Sequence, residues 1–106
     1  MPLLSSSTFA SVICDDLRHQ LVIQGRRLSL RPQIYFLARA LILQAKAWES
    51  GQADGRLVSH KALCRETGAT SMHALHALAS EAGAELRHCL LIINKYGQGY
   101  YALLLP

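Results

Sequence analysis

The sequence predicts an α+β fold in one domain, with a small N-terminal antiparallel sheet, three helices and a C-terminal β-hairpin. Three observations carry this prediction. Apolar residues recur in β-type runs over residues 11–29, at helical three- and four-residue steps from residue 32, and in β-type runs again from residue 89. Glycine and serine stand where the period changes, as turn and cap residues do. A chain of 106 residues, 51% hydrophobic and 17% charged, can bury a single core but is too short for two domains and too apolar to stay disordered.

Residues 1–10 (MPLLSSSTFA) are Ser-rich and aperiodic and read as a flexible N-terminal arm, leaving residues 11–106 as the domain. The arm lacks a basic leading segment and an apolar run of signal-peptide length. Between Ser11 and Ser29 the pieces SVIC, LRHQLVI and RRLSL are separated by turn signals at Asp15-Asp16 and Gln24-Gly25, which predicts an antiparallel meander. Strict alternation would put Leu17, His19, Leu21 and Ile23 on its buried face and Arg18, Gln20 and Gln24 on the other.

The first helix is expected from Pro32 to about Ser50, with Ile34, Leu37, Leu41, Ala45 and Trp48 on one face, Pro32 in the first turn and Gly51 as the stop. GQADG is a loop, after which Arg56-Leu57-Val58 supplies one short strand. Ser59 caps a second helix, His60 to about Thr67, with Ala62 and Leu63 inward, and Gly68 breaks it. Thr70 or Ser71 caps a third helix whose buried stripe is Met72, Leu75, Leu78 or Ala79, and Ala82, and which ends at Gly83 or just beyond. Cys89–Ile93 and Tyr100–Leu105 flank the glycine-bearing turn 94–99 and form the hairpin.

Two short helices joined by a tight Gly turn and followed by a hairpin describe a winged helix-turn-helix, the hairpin being the wing. The flanking residues add a resemblance. Gln24-Gly25-Arg26-Arg27-Leu28-Ser29-Leu30 before the first helix, Val58-Ser59 before the second, Leu63 within it, and Gly97-Gln98-Gly99-Tyr100-Tyr101-Ala102-Leu103 in the hairpin are similar to the OmpR-type winged helices, the DNA-binding output domains of bacterial response regulators. The resemblance spans roughly residues 12–105, as a stand-alone domain without a receiver. It implies sequence-specific binding of double-stranded DNA by a bacterial-type transcription regulator, with the third helix in the major groove and the wing against the backbone.

On that expectation Ser71, His73, His76 and Ser80 are the base-reading positions of the third helix, since imidazole and hydroxyl groups can exchange hydrogen bonds with base edges. Lys61, Arg65, Arg87 and Lys95 are the candidate phosphate contacts, with Arg56 beside them, and Tyr96 and Gln98 stand at the wing tip. A domain this small is expected to act as a homodimer on paired half-sites. The two histidines read equally well as solvated side chains of a helix surface, and Tyr100 or Tyr101 as core packing.

Charge divides unevenly. The net +4 comes from eleven Lys/Arg against seven Asp/Glu, yet residues 17–65 hold nine of those cations and only Glu49 and Asp54, a balance of +7. The segment Thr70–Leu86 contains no Lys or Arg and carries Glu81 and Glu85. Its small residues Ala74, Ala77 and Ala84 suit close packing, so the alternative function is a winged-helix module that docks a protein and has lost DNA binding.

Other classes are disfavoured. No apolar run approaches the roughly 20 residues that cross a bilayer. Cys14, Cys64 and Cys89 are odd in number and widely spaced, which fits a reducing cytoplasm rather than a disulfide framework or zinc site. His73 and His76 are three residues apart and lack a third ligand, so no metal is expected. There is no nucleophile–base–acid set, no phosphate-cradling glycine loop and no other cofactor signature, and an enzyme is not expected.

Overall fold

The computed structural model describes residues 8–106, which form three helices and two small antiparallel sheets. A 3-10 turn at Phe9–Ser11 leads into β1 (Ile13–Asp15), β2 (Gln20–Ile23) and β3 (Arg26–Ser29), which are hydrogen-bonded in that order. Of the arm expected over residues 1–10, residues 1–7 lie outside the described part. Its end is ordered: Phe9 is only 4% exposed, and its backbone N–H donates to a Glu49 carboxylate oxygen at 2.8 Å.

Gln24 and Gly25 both take positive φ, 54° and 80°, which is the geometry of a two-residue hairpin loop matched to strand twist. Leu21 pairs with Leu28 across this hairpin, and Leu21 and Ile23 are fully buried. The alternation does not extend back to Leu17, which is 95% exposed. Asp15 explains this, because its carboxylate accepts from the backbone N–H of Leu17 and of Arg18, both at 3.1 Å, and curls residues 16–19 into a turn. His19 leaves that turn with a positive φ of 53° and packs its ring against Tyr35 and Phe36.

Helix α1 (Pro32–Glu49) is the centre of the core. Ile34, Tyr35, Leu37, Ala38, Leu41, Ile42 and Ala45 are all fully buried, a stripe at helical spacing wide enough to meet the second sheet, the N-terminal 3-10 turn and both other helices. Trp48, expected on this face, is 42% exposed at the helix end.

Strand β4 (Val58–Ser59) connects α1 to α2 (His60–Thr67), and α3 (Met72–Glu85) leads to β5 (Leu90–Lys95) and β6 (Gly99–Leu104). The second sheet has the order β4-β6-β5, so the strand before α2 is the neighbour of the last strand of the chain. Leu90, Tyr100 and Ala102 turn into the core from its inner face. Met72, expected in the buried stripe of α3, is 43% exposed as the first helical residue, and the stripe is Leu75, Leu78, Ala79 and Ala82, continued by Leu86. The helix also runs through Gly83 to Glu85. Among the described residues no helix is long and apolar enough to cross a membrane.

Candidate nucleic-acid interface

The turn between α2 and α3 is fixed by its own polar groups. Ser59 Oγ accepts the Ala62 N–H at 3.1 Å and Ser71 Oγ accepts the Ala74 N–H at 3.0 Å, so each helix begins on a side-chain cap. Of the two cap residues offered for α3, Ser71 is the one used. Between them Gly68 ends α2 at φ 77°, a left-handed conformation that costs a residue with a Cβ roughly 1–2 kcal/mol. Buried Thr67 donates its hydroxyl to the Leu63 carbonyl at 2.8 Å and accepts the Ala69 N–H at 3.2 Å. Gln33 of α1 donates to the Thr67 carbonyl at 3.0 Å and ties the turn to the core helix.

The hairpin is seated against the start of α2. Ser59 pairs with Gly99, which in turn pairs with Lys95. A Cβ on Gly99 would lie 2.0 Å from the Val58 carbonyl oxygen, so glycine is required for β4 to approach this closely. Two strand spacings separate Ser59 from Lys95, which brings the cap of α2 to within about 10 Å of the wing base. The wing tip is a tight turn: Gly97 has φ 76°, the Gln98 N–H donates to the Lys95 carbonyl at 3.0 Å, and Tyr96 is 87% exposed.

Lys61 and Arg65 are exposed one helical turn apart on α2, and Lys95 stands exposed on the neighbouring wing. None of the three has an ion-pair partner among the described residues. The nearby acids are engaged elsewhere. Glu81 is held in a two-pronged pair by Arg31, and Glu66 lies 3.9 Å from Arg39, which also bonds Asp16 at 2.9 Å. The Arg31 hydrogen bond holds the Glu81 carboxyl below its ordinary range. Arg87 does not join this cluster, since it follows the far end of α3 and precedes the end of the hairpin remote from the wing. It is exposed, and its Nε donates to His88 Nε2 at 3.4 Å.

On α3, His73 and Ser80 are exposed, and so is Ser71, although its hydroxyl is used as the cap. His76 departs from the expectation of a free base-reading side chain. It is half-buried, its Nδ1 is hydrogen-bonded to the Tyr100 hydroxyl, and its ring packs within 5.6 Å of His60 and 5.7 Å of Tyr100. The cause lies in the hairpin: Tyr100 points inward from β6, and its ring meets α2 and α3 together. Burial also pushes the Tyr100 phenol above its ordinary range. A groove of about 430 Å³ separates α3 from the hairpin, lined by His76 and Ser80 on one side and Asn94, Tyr96 and Tyr100 on the other.

Sequence reasoning did not find the contact of His60 with His76 and Tyr100, because partners on three separate elements leave no local spacing to read. It also missed the setting of Arg56, whose guanidinium makes cation–π contacts with the rings of both Trp48 and Tyr101. The thiols of Cys14, Cys64 and Cys89 are all free, with only Cys89 buried. Among the described residues no three His, Cys, Asp or Glu side chains converge on a metal position. No protein-family model matches this chain, and no curated protein matches it.

Proposed function

We propose that this chain is a winged helix-turn-helix domain, similar to the OmpR type, that binds double-stranded DNA sequence-specifically as a bacterial-type transcription regulator and acts as a homodimer. One observation carries the reading. The β4–β6 pairing seats the start of α2, with Lys61 in its first turn and Arg65 one turn on, beside the wing that carries Lys95, and none of the three has an ion-pair partner among the described residues. Unpaired cations along one rim suit phosphate neutralisation, while the exposed small and polar side chains of α3 can approach base edges closely.

In this reading Ser71, His73 and Ser80 face the major groove, and His76 acts indirectly by bracing Tyr100 and hence the angle between α3 and the wing. Lys61, Arg65 and Lys95 contact phosphates, Tyr96 and Gln98 lie along the adjacent backbone, and Arg87 is a separate outlying contact. Titrating duplex DNA at several salt concentrations tests the proposal. With Arg87 included, four phosphate contacts contribute about −3.6 to the log–log salt slope for each protomer bound, and Lys61→Glu with Arg65→Glu reduces that magnitude by about 2. Absence of binding at low salt, or a slope indifferent to the double variant, overturns the reading.

A second reading is favoured by α3 itself. The helix has no Lys or Arg and exposes Met72 at its start, as a protein-docking face would. Under that reading Met72→Glu with Ala77→Glu abolishes association with a protein partner, and the Lys61 and Arg65 variants leave that association intact.

A further inference from the structure

We infer that Arg56 is the centre of a phosphate-binding site on the outer side of the second sheet, distinct from the surface of α3. Arg56 lies in the loop before β4, half-buried, with its guanidinium carbon 4.7 Å from the centre of the Trp48 ring and 5.2 Å from that of Tyr101. The aromatic faces hold the cation through their quadrupoles and restrict its motion. Aromatic contact of this kind leaves hydrogen bonds at the edge of the guanidinium unmade, and Arg56 has no ion-pair partner among the described residues. A guanidinium held in one orientation with its N–H edge open is pre-organised to receive an anion.

The surroundings specify that anion. Arg56 borders a groove of about 420 Å³ shared with Lys95, Asn94 and Tyr101 over an apolar floor of Leu57 and Ile93. Among the described residues no carboxylate lines it, and the cationic side chains of Arg56 and Lys95 border the same concavity. A planar fork beside a point charge matches a tetrahedral oxyanion, in which two oxygens accept from Arg56 and a third from Lys95. The groove exceeds the size of a bare ion, and the tyrosine ring and aliphatic floor suit an organic substituent on the phosphate. That substituent is either the backbone of a duplex or the remainder of a small phosphorylated molecule; the phosphate chemistry is common to both.

Trp48 is the only tryptophan of the chain, so its fluorescence reports on this site directly. The full chain is titrated with inorganic phosphate, with a 5′-phosphorylated mononucleotide and with duplex DNA, each against chloride at constant ionic strength, with calorimetry as a readout independent of Trp48. Inorganic phosphate should give a saturable signal that Arg56→Gln abolishes and that Arg56→Lys, which keeps the charge but loses the fork, weakens about tenfold or more. If Arg56→Gln reduces the duplex salt slope by about one, the natural phosphate is that of DNA; if it instead removes mononucleotide binding alone, the ligand is a small molecule. The site shares only Lys95 with the proposed DNA surface, so Lys61→Glu with Arg65→Glu should leave phosphate binding unchanged. No saturable response to inorganic phosphate, or one that survives Arg56→Gln, overturns the assignment whatever the fate of DNA binding.

Discussion

Gly99 and Gly83 show how differently the same residue type can be constrained. A methyl group on Gly99 collides with backbone rather than with a movable side chain, because the Val58 carbonyl is only 2.0 Å from the Cβ position. Gly99→Ala therefore has to separate β4 from β6 and should cost about 2 kcal/mol or more. Gly83 lies inside α3 with open space where its Cβ would be, so Gly83→Ala should stabilise by about 1 kcal/mol through helix propensity alone. Urea denaturation of the two variants should move the midpoint in opposite directions. The Gly-x-Gly spacing was readable in the sequence, but the reason for its second glycine was not, since the colliding carbonyl belongs to a residue about 40 positions earlier, a distance beyond local pattern.

At the scale of elements, the helices were legible because their signals are local. Pro32, Ser59, Gly68 and Ser71 mark ends within one turn of where α1, α2 and α3 start or stop. A short strand before α2 was legible too, although it is Val58–Ser59 rather than Arg56–Val58, and its partner was not. The chief difference in the candidate site is His76. Helical spacing says which face of α3 meets the core, but it cannot say that a tyrosine from the hairpin covers the next residue along. Tyr100→Phe keeps the ring against His60 and His76 and deletes only the hydroxyl. It should cost about 1 kcal/mol in denaturant, and on the DNA reading it should weaken binding without changing the salt slope, since no phosphate contact is lost. A reduced slope would mean that the hydroxyl or His76 contacts phosphate directly.

For the molecule as a whole, composition gave the total charge but not its disposition. Arg31 and Arg39, two of the nine cations in residues 17–65, form internal pairs with Glu81 and with Asp16 and Glu66. The hydrogen bond donated by the Tyr35 hydroxyl, followed by that from Arg39, lowers the Asp16 carboxyl from its ordinary 3.8, and Arg31 lowers Glu81 from 4.5. A carboxyl that is more acidic in the folded state contributes stability in full above its unfolded value and loses it as pH falls through the folded one. Thermal stability should accordingly be level above about pH 5 and decline below it, with a shallower acid decline in Asp16→Asn. An unchanged acid limb in that variant would remove Asp16 from the account.

The seam between β4 and β6 also has a kinetic consequence. Both hairpins close over a few residues and can form within microseconds, whereas β4 must wait for a partner about 40 residues away, after α2 and α3 have brought the ends together. Pulse-labelled hydrogen exchange during refolding should thus protect β2–β3 and β5–β6 first and the two-residue seam last. The surface assembled around Lys61 and Lys95 would then come into existence only with the final closing step of the chain.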